Sequence, residues 1–235
     1  MHKIQHYLTR KNVLFVLIFS VVGFIALQIP IAKIAGSKAE FMAYDAFAPA
    51  AGAFIGTIPG VIAVFLVQFA NFLKDGAVIE DAGTIIRFFP MLFAVWYFAR
   101  KDKWTLIVPL LAMIAFIAHP IGRTVWYFAL FWTIPIIAHF FRDRFLLARA
   151  LGATFTAHAV GGALWIWTFA LPAPIWISLI PVVAMERTLF ALGICVSFLF
   201  VNNLLAFAGK KRIFNAGFIT EEKYILGALR HEKIG

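Results

Sequence analysis

Seven long apolar segments, separated by short connections, restrict what this chain can fold into. They cover residues 13–34, 41–73, 83–99, 104–119, 122–141, 146–170 and 174–207. Most of them approach the roughly 20 residues that an α-helix needs to cross a hydrocarbon core of about 30 Å. Only 14% of the residues are charged, whereas a soluble domain has about 25%. The sequence therefore predicts an all-α fold, a polytopic transmembrane helix bundle in the lipid bilayer.

The lysine and arginine residues outside the apolar segments are concentrated in four connections. These are the N-terminus with Lys3, Arg10 and Lys11, and the stretches 100–103 (RKDK), 142–149 (RDRFLLAR) and 210–212 (KKR). Short cytoplasmic loops collect Lys and Arg, so we predict a cell-membrane protein whose four basic connections and two termini are cytoplasmic. The net charge of +10 is then an orientation signal and indicates no nucleic-acid partner.

The same rule places both ends of segment 41–73 on the outer face, because its flanking connections 35–45 and 74–82 are not clearly basic. Pro59-Gly60 interrupts this segment. We predict a broken pair of short helices, 46–58 and 60–73, beside six full spans. The pair either crosses twice or re-enters and returns. Gly52, Gly56 and Gly60 share one helix face, a spacing that allows close helix packing.

The whole membrane part is predicted to be one domain. Residues 1–207 form the transmembrane bundle, and residues 208–235 form a cytoplasmic tail. Within the tail, 220–233 has acids in its first turn and bases in its last, which favours a short amphipathic helix on the inner membrane surface; docking to a cytoplasmic partner is the alternative. Asn202 and Asn203, just before the tail, are expected to form hydrogen bonds between helices.

Three ionisable side chains, His158, Glu186 and Arg187, are predicted to lie near the middle of the membrane. A charged group costs about 3 kcal/mol at that depth and is by default a functional candidate. Neighbouring helix positions point about 100° apart, so Glu186 and Arg187 are not expected simply to neutralise each other. They either pair with neighbouring helices or contact a ligand. A lone histidine on an apolar helix is more often a hydrogen-bonded packing residue than a ligand contact; the match in depth between His158 and Glu186 also allows a contact between them.

A second polar group is predicted near the outer face, where both signs of charge occur at one level. Its members are Asp45, Asn71, Lys74, Arg87, His119, Arg123 and Trp126. Such a group suits a polar ligand, with an arginine clamping a carboxylate or phosphate. Lys74 and Arg123 fit headgroup contacts equally well, and Trp126 fits an interface anchor. No HExxH or paired-Cys spacing occurs, so we assign no metal, no other cofactor and no catalytic residue.

The first half of the chain resembles a known family. A first helix, an outer loop, PAAGAFIGTIPGVIAVFLVQFANFL, the apolar helix IIRFFPMLFAVWYFA and the basic turn RKDK look like the substrate-binding membrane subunits, or S components, of energy-coupling factor vitamin transporters. The resemblance covers residues 10–120. It implies a glycine-rich helix that breaks at a Gly/Pro turn, an outer loop that closes over a ligand site, and partnership with a coupling membrane subunit and ATPase subunits.

We therefore predict capture and uptake of a small solute, vitamin-like or a precursor, from the outer face. The chain has no GxxxxGK[ST] motif for binding ATP, so separate subunits would supply the energy. Two other hypotheses stay open. One is a membrane enzyme that uses His158 and Glu186 on a lipid or prenyl substrate. The other is a helical assembly or scaffold protein whose glycine face packs against a partner.

Overall fold

The computed structural model describes residues 10–33, 40–211 and 218–227. The α-helices are α1 (Arg10–Ala26), α2 (Ala51–Ile55), α3 (Thr57–Lys74), α4 (Ala82–Ile86), α5 (Pro90–Ala99), α6 (Ile107–Ala118), α7 (Pro120–Thr124), α8 (Thr133–Phe141), α9 (Leu146–Phe169) and α10 (Ala173–Lys210). Strands β1 (Pro30–Lys33) and β2 (Glu40–Met42) form an antiparallel hairpin where an outer loop was predicted. Short 3-10 helices cover Ala43–Ala46, Ala48–Ala50, Lys103–Leu106, Trp126–Trp132 and Glu222–Tyr224. The helical class is confirmed for the described ranges, apart from this hairpin.

Among the described residues, three helices are long and apolar enough to cross a membrane. They are Thr57–Lys74, the combined run Ala82–Ala99, and Ala173–Lys210. Large apolar side chains also face outward, as with Val196 at 68% exposed and Phe200 at 67%, and large exposed apolar surfaces mark membrane or partner contacts. Membrane association is thus supported at this coarse level, and the six full spans stay a prediction.

Helix α9 is the centre of the bundle and packs against α5, α6, α8 and α10. Its small residues Ala150, Ala153 and Ala159 are fully buried and let the surrounding helices approach closely. Because protein and not lipid covers α9, it accommodates buried Thr154 and Thr156. This helix is less apolar than a lipid-facing span for the same reason.

The described parts of the four basic connections lie at one end of the bundle. Lys101 forms an ion pair with Asp143 (2.7 Å), and Lys223 Nζ donates to the Asp143 carbonyl oxygen (2.7 Å). The ring of Phe15, near the start of α1, contacts Phe218 at a centroid distance of 5.4 Å. We call this end of the bundle the tail end.

The other connections lie at the opposite end, which we call the hairpin end. Gln28 Nε2 donates to Asn71 Oδ1 (2.9 Å), and Lys74 Nζ donates to Gln28 Oε1 (2.7 Å). The chain before β1 and the loop after α3 therefore meet. Phe169, at the end of α9, packs against Gly83 of α4, which brings the 170–172 connection to this end as well.

Segment 43–74 is a hairpin of helical pieces that leaves and returns to the same end of the bundle. Ser20 Oγ donates to the Ala63 carbonyl oxygen, and Gln28 reaches Asn71, both across 43 positions. Because the two helices advance together at that constant offset, α1 and α3 run parallel. The chain comes back between them through the 3-10 helices and α2.

The reversal of this hairpin falls at Gly56 and not at Pro59-Gly60, so the predicted helices 46–58 and 60–73 are misplaced. Gly56 has φ of 93°, which glycine adopts without steric strain. Pro59 lies in the first turn of α3, where its missing N–H is harmless. A Cβ atom on Gly60 would lie 2.5 Å from Gly52 Cα, so the two arms cross there backbone to backbone.

The predicted amphipathic helix over 220–233 is wrong for its described part. Residues 218–227 contain no α-helix; the backbone is extended at Glu221 and Ile225, on either side of the 3-10 turn Glu222–Tyr224. Side chains of α10 supply hydrogen bonds to this backbone, an alternative to helix formation, and Asn202 and Asn203 contact the tail in this way where helix-to-helix bonds were expected. Residues 228–233 lie outside the described ranges.

Candidate functional site

The strongest candidate site is a polar cluster between the helices, formed by Asp45, His158, Glu186 and Arg187. We call it the interior cluster. Its members come from three segments, the Ala43–Ala46 turn, α9 and α10. The turn is pressed onto α10, because a Cβ atom on Gly193 would lie 2.6 Å from the Cβ of Ala46. The fold of the broken segment therefore positions Asp45 beside the charged pair of α10.

Glu186 and Arg187 form an ion pair with each other, contrary to the expectation that they would not. Arg187 Nη2 donates to Glu186 Oε2 at 2.7 Å, and the side chains are 18% and 15% exposed respectively. Their Cα–Cβ bonds diverge, but both side chains are long enough to bend together. The Arg187 guanidinium also lies 4.7 Å from the centre of the Phe190 ring, a cation–π contact.

Arg187 connects the remaining members of the cluster. The carboxyl group of Asp45 interacts electrostatically with Arg187 and with Glu186, and it accepts the backbone N–H of Met42. The His158 imidazole also interacts with Arg187. Arg187 Nε is buried and has no hydrogen-bond partner among the residues that the structure describes. Such an unpaired donor in a native protein calls for a partner, and a ligand acceptor would provide one.

His158 is held by aromatic side chains. Its Nδ1 accepts a hydrogen bond from Trp132 Nε1 (3.0 Å), as expected of a hydrogen-bonded packing histidine. In a neutral imidazole the other nitrogen then carries the proton, so His158 Nε2–H is a donor. The rings of Phe128, Phe131 and Phe155 surround it at 5.6 to 6.3 Å.

The interior cluster is enclosed and yet accessible. Burial removes most of the water around Asp45 and His158. All four members are nevertheless only half-buried, so part of each residue is accessible. Polar groups that converge in a mostly apolar surrounding, with some accessible surface, are the usual make-up of a small-molecule site.

The predicted outer group is divided between separate places. Asn71 and Arg87 line a cleft of about 320 Å³ at the hairpin end, together with Asp75 and Glu80. Asp45 belongs to the interior cluster instead. The sequence placed these residues at one level but could not show on which side of each helix they lie.

His119, Arg123 and Trp126 lie in the connection after α6. His119 Nδ1 accepts the N–H of Ile121 (3.3 Å), which caps α7, and its ring contacts Trp167. Arg123 is exposed and Trp126 is 52% exposed. In the described part of the chain, no hydrogen bond or ion pair joins these three residues to the interior cluster. Their role in ligand binding stays a prediction.

Two residues that make important contacts in the structure were not predicted from the sequence. Trp132 orients His158, and the only available signal was its position four residues after Phe128 in the aromatic run WYFALFW. Arg149 is 5% exposed and was interpreted simply as a basic loop residue. It packs against the rings of Phe98 and Phe198 and pairs with Glu221 of the tail, contacts that no local pattern predicts.

Comparison with family models, with curated protein sequences and with solved structures finds no match. The resemblance to S components therefore stays a prediction. Within the described ranges, no three His, Cys, Asp or Glu side chains are grouped so as to hold a metal ion.

Proposed function

We propose that this chain is a membrane-embedded solute-binding protein of the S-component type. In this proposal it crosses the membrane with six full spans and one re-entrant hairpin, and both termini are cytoplasmic. It takes up a small vitamin-like solute or a precursor at the interior cluster, from the hairpin end. A coupling membrane subunit and ATPase subunits would supply the energy.

The observation that carries the proposal is the unpaired Arg187 Nε inside the interior cluster. Around it lie a second donor, His158 Nε2–H, and the carboxyl groups of Asp45 and Glu186. The rings of Phe128 and Phe131 lie against the His158 imidazole. Donors, acceptors and flat apolar faces that converge in this way favour a small, polar and partly planar solute.

The β1–β2 hairpin is the proposed lid. The Ala43 N–H donates to the Ile29 carbonyl oxygen (2.9 Å) at its base, and the turn that carries Asp45 follows β2 directly. Movement of the hairpin would therefore act on Asp45 without an intervening linker. A lid joined to a binding residue in this way is a common means of enclosing a ligand.

The proposed direction of uptake follows from the basic residues. The described basic connections share the tail end, as the Lys101–Asp143 and Lys223–Asp143 contacts show. Basic connections face the cytoplasm, so the hairpin end would face outward. Solute then enters from the side on which the proposed lid lies.

Mass spectrometry of small molecules released from gently purified protein tests this proposal. We expect a bound solute from the wild type and a loss of at least about tenfold in its occupancy with Arg187→Lys, which keeps the charge but not the planar fork. The matched control is Arg144→Lys, an exposed arginine outside every predicted binding group, which should retain the solute. Absence of any bound metabolite, together with no thermal shift across a panel of vitamins and their precursors, would refute solute capture.

A further inference from the structure

The charges of the interior cluster do not balance. Asp45 and Glu186 each carry a carboxyl group, and both interact with the guanidinium of Arg187. Within the described ranges, no other basic side chain forms an ion pair with either carboxyl group. Two carboxylates against one guanidinium leave an excess of one negative charge. An uncompensated charge among partly buried groups is unfavourable, so this excess calls for a positively charged partner.

His158 does not supply the missing positive charge. Trp132 Nε1 donates to His158 Nδ1 at 3.0 Å, so this nitrogen carries no proton. An imidazolium carries a proton on both nitrogens, and the His158 imidazole is therefore neutral. The rings of Phe128 and Phe155 lie against it, and apolar neighbours do not favour a charged ring. The excess of negative charge therefore stays on the two carboxyl groups.

The side chains of the interior cluster do not suit a metal ion as this positive partner. Hard cations such as Ca²⁺ take about six to eight oxygen ligands, whereas the cluster offers two carboxyl groups, one of which is already bonded to Arg187. A metal ion also provides no acceptor for Arg187 Nε, which is buried and unpaired within the described residues. A fitting partner therefore combines a positive charge with a hydrogen-bond acceptor.

The guanidinium of Arg187 brings these two requirements together. Its Nη2 donates to Glu186 Oε2 at 2.7 Å, and Nε lies on the same edge of the planar group. An acceptor bonded to Nε is therefore next to the Glu186 carboxylate. Arg187 also interacts with the carboxyl group of Asp45. A small solute that accepts from Nε can thus direct a positive charge at the carboxyl groups from the same position.

We propose that the solute of the interior cluster is an organic cation, with an ammonium group or a protonated ring nitrogen, that also carries a hydrogen-bond acceptor. The positive charge lies against Asp45 and Glu186, and the acceptor takes the N–H of Arg187 Nε. One positive charge on the solute makes the cluster neutral overall, which offsets the cost of the excess carboxylate. This inference rests on the proposed function, because it names the class of solute bound at the same site.

The test uses the full chain in nanodiscs and three pyridines that differ in one substituent, an aminomethyl, a hydroxymethyl or a carboxylate group. They share the ring and its acceptor nitrogen but are cationic, neutral and anionic at neutral pH. Ligand-observed NMR should show the aminomethyl compound binding at least about tenfold more tightly than the hydroxymethyl compound, as one charged hydrogen bond predicts, and the carboxylate binding most weakly. Asp45→Asn should remove this preference. Asp143→Asn, which removes an exposed carboxylate at the tail end, is the matched control and should keep it.

The wild type alone decides the case in which Asp45→Asn does not fold. Equal or tighter binding of the neutral or anionic pyridine would overturn the inference, as would a preference for the cation that survives in folded Asp45→Asn. A released metabolite that is neutral or anionic at neutral pH would also overturn it, while the proposed solute capture would stand. If no metabolite is released and none of the three pyridines binds, solute capture itself fails and the inference fails with it.

Discussion

Arg149 and Arg187 are both largely buried arginines on long helices, and they differ in how completely they are paired. Arg149 donates to a backbone carbonyl oxygen, forms an ion pair with Glu221 and stacks on the Phe98 ring. Arg187 has its neighbour Glu186 and the Phe190 ring, while its Nε is unpaired within the described residues. A complete set of partners indicates a structural arginine. An incomplete set within a cluster of polar groups indicates one that is available to a ligand.

The same substitution at both arginines tests this difference, and the larger effect on stability is expected at Arg149. A lysine there cannot donate to Phe98 and Glu221 with the same geometry. Arg149→Lys should lower the free energy of unfolding by about 3 kcal/mol through the loss of charged hydrogen bonds, measured by denaturation in nanodiscs. Arg144→Lys, at an exposed position of the neighbouring loop, is the control and should change stability little. Equal stability of the two variants would contradict a structural role for Arg149.

A second prediction concerns the hairpin that positions Asp45. Gly60→Ala places a methyl group where Gly52 Cα already lies. The arms must separate, so the free energy of unfolding should fall by about 2 kcal/mol, as overpacking predicts. Gly209→Ala is the control, since nothing lies within 4 Å of a Cβ atom there, and it should be neutral or slightly stabilising. If Gly60→Ala were as stable as Gly209→Ala, the crossing of the two arms would be wrong.

Arg187→Lys should have a smaller effect on stability than either change. The lysine keeps a positive charge beside Glu186, so the free energy of unfolding should change by about 1 kcal/mol or less. Occupancy of the bound solute should fall nonetheless, because the planar donor group is gone. The free energy of unfolding and the solute occupancy should both be measured on one preparation of the variant. Large destabilisation with solute retained would reverse the roles assigned to the two arginines.

The exposed ion pair between Lys101 and Asp143 is expected to have the smallest effect on the free energy of unfolding. The hydrogen bond from Lys101 holds the pKa of Asp143 below its ordinary value. The resulting stabilisation is present above the unfolded-state pKa of about 3.9 and is lost as the pH falls through the lower folded-state pKa. Both side chains are 67% exposed, so Asp143→Asn should cost less than about 0.5 kcal/mol at neutral pH. Thermal unfolding of the two proteins should converge in acid and in high salt, and a difference that persists in acid would rule out this ion pair as its source.

The two ends of the bundle were predictable because charge patterns are local. Counting Lys and Arg in each connection grouped 100–103 with 142–149, and the Lys101–Asp143 ion pair confirms that they meet. The same counting required segment 41–73 to return to the end it left, and the parallel packing of α1 and α3 confirms this. Both conclusions depend on sums over many residues and tolerate local errors.

The predictions that were wrong concern features that depend on single contacts. The break falls at Gly56 and not at Pro59-Gly60, because the backbone torsion at one glycine decides it. Glu186 pairs with Arg187 through side-chain flexibility that helix geometry alone does not describe. Residues 218–227 form no α-helix, because Asn202 and Asn203 of a distant helix bind their backbone. Such long-range contacts leave no periodic pattern in the sequence.

Uptake from outside requires the hairpin end to face outward and the tail end to face the cytoplasm. Its most direct test is cysteine labelling, because Cys195 is the only cysteine of the chain and can be replaced by alanine. In that background, a single cysteine is introduced at one of two exposed positions, Glu80 at the hairpin end or Glu222 in the tail. A membrane-impermeant maleimide should label Glu80→Cys in intact cells and Glu222→Cys only after permeabilisation. The opposite pattern would open the interior cluster to the cytoplasm and contradict uptake from outside.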